Sequence, residues 1–150
     1  LNSDGLTTIA NVPLVATVSA GAWRSDEGLD IQGALVPAVP HSSVPADAQY
    51  AVAVDGASVN KKIADGAYAI CAKYDRYPGG PQHGQLVHVI RERAGLREHT
   101  IKELQYTRKG MVLAPCSTDP RYQETLELGA EEEDTTVQIE GVVIGVFQPL

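Results

Sequence analysis

Apolar residues in this chain come in short runs, each soon cut by glycine, proline or a charged turn. No segment carries the sustained period of about 3.6 residues that a long amphipathic helix needs. That property confines the chain to a mainly β architecture. The runs Val12–Ser19, Gly33–Val36, Tyr50–Val54, Gly66–Tyr74, Gln85–Arg93, Glu98–Thr107, Gly110–Ala114 and Thr136–Phe147 are predicted strands. Asp55-Gly56, Pro78-Gly79-Gly80-Pro81, Arg93-Ala94-Gly95-Leu96 and Arg108-Lys109-Gly110 are predicted turns. Pro13 places the first strand at a sheet edge or marks its start, because it cannot donate to a ladder. Lys61–Gly66 reads as one helical turn closed by glycine, and Glu131-Glu132-Glu133-Asp134 as a solvated turn. The expectation is a curved or barrel-like sheet with only short helical turns.

A chain of 150 residues is one domain with a single core. Its 12 Lys and Arg are outnumbered by 19 Asp and Glu, a formal net charge of -7, so the domain itself lacks the basic surface that grips phosphates. No apolar run reaches the length of a bilayer span and no signal-peptide pattern opens the chain, which implies a cytoplasmic protein with no membrane contact. Cys71 and Cys116 lie in separate apolar stretches and are expected to be buried and reduced. No His, Cys, Asp and Glu cluster has ligand spacing, so neither metal nor cofactor is expected. The chain opens on Leu1, which reads as a fragment of something longer.

Two stretches carry candidate chemistry. Asp55-Gly56-Ala57-Ser58-Val59-Asn60 joins apolar runs through a turn, presenting Ser58 at the mouth of a tight loop with backbone N–H groups nearby. Such a serine is a candidate nucleophile if a neighbour takes its proton; the plainer alternative is a turn serine that caps its own backbone. His41, His83, His88 and His99 lie in no motif that nominates one of them, and His88 and His99 read as partly exposed strand residues. In the strand around Lys102, alternation puts Thr100, Lys102, Leu104 and Tyr106 on one face. A lysine beside Leu104 loses water, and desolvation favours the neutral amine, a general base; a lysine reaching solvent is the alternative. Upstream, Ser19-Ala20-Gly21-Ala22 is small enough to thread a narrow cleft. The proline-bearing excursion from Ala22 to Ala48 follows it.

Four pieces now fall in one order: Val18-Ser19-Ala20-Gly21; Asp55–Asn60 with Ile63-Ala64-Asp65-Gly66; Thr100-Ile101-Lys102-Glu103-Leu104; and Val112-Leu113-Ala114-Pro115 leading to Ile139–Val146. In this order they resemble the self-cleaving C-terminal domain of LexA and phage CI-type repressors, a group that includes UmuD-like proteins. The resemblance covers residues 11–148. The gap from Ser58 to Lys102 exceeds that from Ala20 to Ser58, which is more like a phage repressor than LexA. The resemblance implies a LexA-like fold over 11–150, preceded by a linker remnant at 1–10 from an absent N-terminal DNA-binding domain. It implies Ser58 as nucleophile, Lys102 as general base, the Ala20–Gly21 bond as substrate, and the backbone N–H groups of Ala57 and Ser58 as oxyanion hole. It also implies a homodimer or higher oligomer, operator DNA contacted through the missing domain, and a RecA–single-stranded-DNA filament as co-effector in the SOS response. One departure is Val59 where the family usually has methionine; Val59 is expected to line the cleft. Two other readings stay open, a repressor dimerisation module that no longer cuts itself and a UmuD-like polymerase accessory subunit. A membrane signal peptidase shares the Ser-Lys logic, but no apolar anchor is present.

Overall fold

The computed structural model describes residues 9–25, 33–132 and 134–150. Most of the expected linker at 1–10, part of the Ala22–Ala48 excursion and Glu133 therefore lie outside the described residues. The strands are β1 (Ala10–Val18), β2 (Leu35–Ala38), β3 (Gln49–Val54), β4 (Tyr68–Lys73), β5 (Leu86–Arg93), β6 (Leu96–Thr107), β7 (Gly110–Ala114), β8 (Leu126–Glu127), β9 (Gly129–Glu132) and β10 (Thr135–Phe147). They form one curled sheet in the order β2-β1-β3-β4-β10-β5-β6-β7-β8, with β9 paired to β10. Helical structure among the described residues is confined to 3-10 turns at Ala46–Ala48, Tyr74–Arg76 and Pro120–Tyr122. The expected mainly β, LexA-like architecture is the one found.

The differences are local and have physical reasons. Lys61–Gly66 is a series of turns with a single helical-type bond, Ile63 N–H to the Val59 carbonyl, rather than a helix. Glu131 and Glu132 belong to β9 rather than to a solvated turn, because β10 offers them a ladder. β6 starts at Leu96, not Glu98: Ala94 (φ 51) and Gly95 (φ 80) form a two-residue turn with both φ positive, so pairing begins at once. That turn fixes the β5–β6 register, setting Arg91 opposite Glu98 and Val87 opposite Lys102. Pro13 lies where β1 pairs only with β2, before the parallel pairing to β3 begins at Leu14.

β6 is buried on both faces. Ile101 packs with Val18, Val54, Val59, Ile63 and Cys116, while Leu104 packs with Val87, Val89, Leu113, Leu126 and Val142. Cys71 and Cys116 are both buried free thiols. The sheet curls until the continuation of β1 meets β6, although β3, β4, β10 and β5 separate them in the sheet. Ser19 N–H donates to the His99 carbonyl at 3.1 Å, and Arg24 and Arg97 exchange backbone bonds of 2.9 and 2.8 Å.

Inside the curl runs a polar row. Tyr50 shares a 2.6 Å hydrogen bond with His88 Nδ1, and His88 Nε2 shares one of 2.9 Å with His99 Nδ1. His88 is fully buried, against the expectation of a partly exposed strand histidine. A Cβ on Gly141 would collide with the Tyr50 hydroxyl and the Ala72 carbonyl, so only glycine leaves room for the ring to reach His88. We expect Gly141→Ala to destabilise the fold by about 1–3 kcal/mol, as overpacking does, with Tyr50→Phe recovering part of the loss in urea unfolding. Burial, reinforced by His99, lowers His88 to about 3. An unfolded imidazole titrates near 6.5, so the unfolded chain takes up the proton first. Stability should therefore fall as pH drops from about 6.5 toward about 3, by roughly 1.4 kcal/mol per pH unit. Urea titrations across that window should show a shallower loss for His88→Gln, which keeps polar atoms there without a titrating ring.

Candidate active site

The loop bearing Ser58 is tied at both ends. Val54 N–H donates to the Ala67 carbonyl and Gly66 N–H to the Val54 carbonyl, each at 2.9 Å. Gly56 turns the chain at φ +92, a conformation that favours glycine, and donates its N–H to Asp65 Oδ1 at 2.8 Å. Beyond Ser58, the Val59 carbonyl accepts from Lys62 and Ile63 N–H. Val59 itself is fully buried in the core cluster with Ile63 and Cys116, so it anchors the loop and does not line the cleft as expected.

A second loop, residues 116–124, bonds to the backbone beside Ser58 and to the Lys102 side chain. Ser117 Oγ donates to the Ala57 carbonyl at 2.6 Å and accepts from Asp119 N–H at 3.0 Å. Asn60 and Thr118 exchange two hydrogen bonds of 2.9 and 2.8 Å, and Lys61 N–H donates to the Cys116 carbonyl. At the far end of the same loop, the Glu124 carbonyl accepts from Lys102 Nζ at 2.7 Å. Ser58 and Lys102 are both 7 % exposed. Ser58 Oγ is buried and makes no hydrogen bond among the described residues, so it is not bonded to the amine in this conformation. The N–H groups of Ala57 and Ser58 likewise meet no acceptor among the described residues.

The small-residue segment forms the third side. Ala22 N–H donates to the Ser19 carbonyl at 3.1 Å, and Gly21 has φ +82. A four-residue turn with positive φ at its third position is type II, which calls for glycine there. Ala20–Gly21 is thus the central peptide of that turn. Gly21 N–H donates to Glu98 Oε2 at 2.6 Å, and Glu98 Oε1 accepts from Arg91 Nε at 2.5 Å. Arg91 also reaches the Glu124 carboxylate at 3.4 and 3.5 Å.

These pieces enclose a pocket of about 140 Å³ whose lining includes Ala20, Gly21, Ser58, Glu98, Lys102 and Glu124. No histidine is among the residues lining it. A larger cavity of about 680 Å³ lies elsewhere, against Tyr50, His88 and His99, and none of Ser58, Lys102, Ala20 or Gly21 lines it. The structure therefore brings together every residue that the sequence singled out as a nucleophile, base or cleavage site. Arg91, Glu98 and Glu124 also line the pocket and Ser117 braces the serine loop from outside it; none of the four carries a sequence motif. Of these, only Arg91 and Glu98 follow from strand register once the hairpin turn is known.

A buried serine hydroxyl and a buried amine lining one cleft are the equipment of acyl-transfer chemistry. With the curled β fold, they define a serine-peptidase type of domain. The profile of the Peptidase S24-like family matches residues 13–144, and the chain belongs to that family. No curated protein matches the sequence. Ser117 is 2 % exposed and satisfies the Ala57 carbonyl. We expect Ser117→Ala to cost about 1–3 kcal/mol in chemical denaturation, the usual penalty for orphaning a buried polar group.

Proposed function

We propose that this domain cuts its own chain between Ala20 and Gly21, with Ser58 as nucleophile and Lys102 as general base. The observation that carries the reading is the convergence of Ala20, Gly21, Ser58 and Lys102 on one pocket. Lys102 Nζ takes the proton of Ser58 Oγ, which attacks the Ala20 carbonyl carbon. The resulting oxyanion faces the N–H groups of Ala57 and Ser58. Collapse breaks the Ala20–Gly21 bond, and the Lys102 proton passes to the departing Gly21 amine. Lys102 then deprotonates a water that attacks the Ala20–Ser58 ester; its C–O bond breaks, Lys102 returns the proton to Ser58 Oγ, and Ala20 leaves as a carboxylic acid. A neutral amine has two N–H bonds and one lone pair. A Glu124 carbonyl that accepts one N–H leaves the lone pair for the hydroxyl. Because the bond is carried on the same chain, attack is unimolecular.

Within this reading the chain is the C-terminal part of a LexA-like transcriptional regulator of the SOS response. It acts in the cytoplasm as a homodimer or higher oligomer, meets operator DNA through a separate N-terminal domain, and is triggered by a RecA–single-stranded-DNA filament. Self-association is supported by exposed Ile9, Val39 and Val146, which border one apolar groove. A second reading, a dimerisation module that keeps the fold without cutting, is favoured by one observation: Ser58 Oγ and the Lys102 amine do not share a hydrogen bond.

Incubation of the purified chain from neutral to alkaline pH separates the two. We expect mass spectrometry to find fragments ending at Ala20 and beginning at Gly21, formed faster as pH rises and Lys102 loses its proton. Ser58→Ala and Lys102→Ala should each slow this at least about a hundredfold. An intact parent chain at alkaline pH would favour the module.

A further inference from the structure

Two residues beyond Gly21 stands Trp23, the chain's only tryptophan. Its half-buried ring lies against two guanidinium groups, with Arg91 Cζ 5.2 Å and Arg93 Cζ 4.6 Å from the centroid. Both arginines come from β5 and, two residues apart, project from one face of it. Each is held from a second direction. Arg91 is paired with Glu98 and reaches Glu124, and Arg93 Nε donates to Thr135 Oγ1 at 2.7 Å. The cations are therefore positioned by groups other than the tryptophan. Two guanidinium groups side by side repel, and the electron-rich face of an aromatic ring relieves both.

We infer that Arg91 and Arg93 form an aromatic-reading subsite for the third residue after the cleaved bond. Trp23 is then a positioning residue that sets the Ala20–Gly21 peptide against Ser58. The inference rests on the proposed cleavage of that bond. Arg91 joins the two ends of the device, since its Nε holds Glu98, which accepts the Gly21 N–H, while its face meets Trp23. Glycine is required at position 21 by the turn, position 20 lines the pocket as alanine, and position 22 is not among the residues lining it. The peptide class the cleft accepts is accordingly small–Gly–any–aromatic.

The test compares self-cleavage rates at alkaline pH for the parent, Trp23→Phe, Trp23→Ala and Trp23→Lys. The expected result is Phe within about threefold of the parent, Ala about tenfold slower, and Lys slower still, since two half-buried cation–π contacts are lost and a like charge is added. The apparent pKa of the rate profile should be unchanged throughout, because Trp23 does not touch the amine. A parent that cleaves together with a Trp23→Ala variant of equal rate overturns the subsite while leaving the cleavage reading intact. A second arm needs no cleavage: Trp23 fluorescence in Ser58→Ala, with and without Arg93→Gln. Greater quenching by iodide in the Arg93→Gln protein, beyond that expected from the lost positive charge as calibrated with neutral acrylamide, supports the subsite. Identical acrylamide quenching in the two proteins overturns it. If the parent never cuts, the cleavage reading fails and this arm decides the subsite alone.

Discussion

A lysine amine taken out of water is the constraint around which this structure is arranged. Lys102 sits mid-strand in β6, a strand with core clusters on both of its faces. An ammonium in such surroundings is costly, and the cost is reduced either by losing the proton or by finding an oxygen. The Glu124 carbonyl supplies that oxygen. It belongs to no strand, so its place depends on the loop running back to Ser117, which in turn grips the Ala57 carbonyl. One stretch of irregular chain thus bonds both to the amine and to the backbone beside the serine.

The same economy of polar groups governs the Ala20–Gly21 turn. The buried Arg91–Glu98 pair would be a poor bargain by itself, because desolvating two charges offsets much of their attraction. Here the carboxylate's second oxygen accepts the Gly21 N–H. The turn thereby completes a hydrogen-bonding set that would otherwise face a half-closed pocket. Its delivery to β6 requires the whole sheet to curl, since β1 and β6 are far apart in strand order. Sheet curvature and site geometry are therefore linked, since the turn meets β6 only across the curl.

Much of this was legible in the residues. The period-two runs gave nearly every long strand, and Asp55-Gly56 gave the serine loop, because alternation and glycine conformations are local properties. Parity placed Lys102 with Leu104, hence toward the interior. What stayed hidden was non-local. β8 and β9 are too short to show a period and exist only because β7 and β10 offer edges. His88 read as partly exposed because nothing near it in sequence announces Tyr50 and His99 as partners. Val59 read as cleft-lining because a turn residue next to a nucleophile gives no sign of which way it faces. Ser117 and Glu124 act through a loop whose path no periodicity encodes.

The conformation also bears on which step would limit the proposed reaction. Loss of the docked turn would have to break the Ser19–His99, Gly21–Glu98 and Arg24–Arg97 backbone contacts together. By contrast, joining Ser58 Oγ to the Lys102 amine asks for a side-chain adjustment within a pocket that already holds both. Side-chain rotamer changes are fast beside the opening of backbone contacts. In the proposed reaction, with Ala20 and Gly21 already lining the pocket, what remains is to join the hydroxyl to an amine in its neutral form. A partner that accelerates cutting would then act by favouring the neutral amine or the joined hydroxyl, since binding a turn that is docked already offers it no differential affinity to exploit.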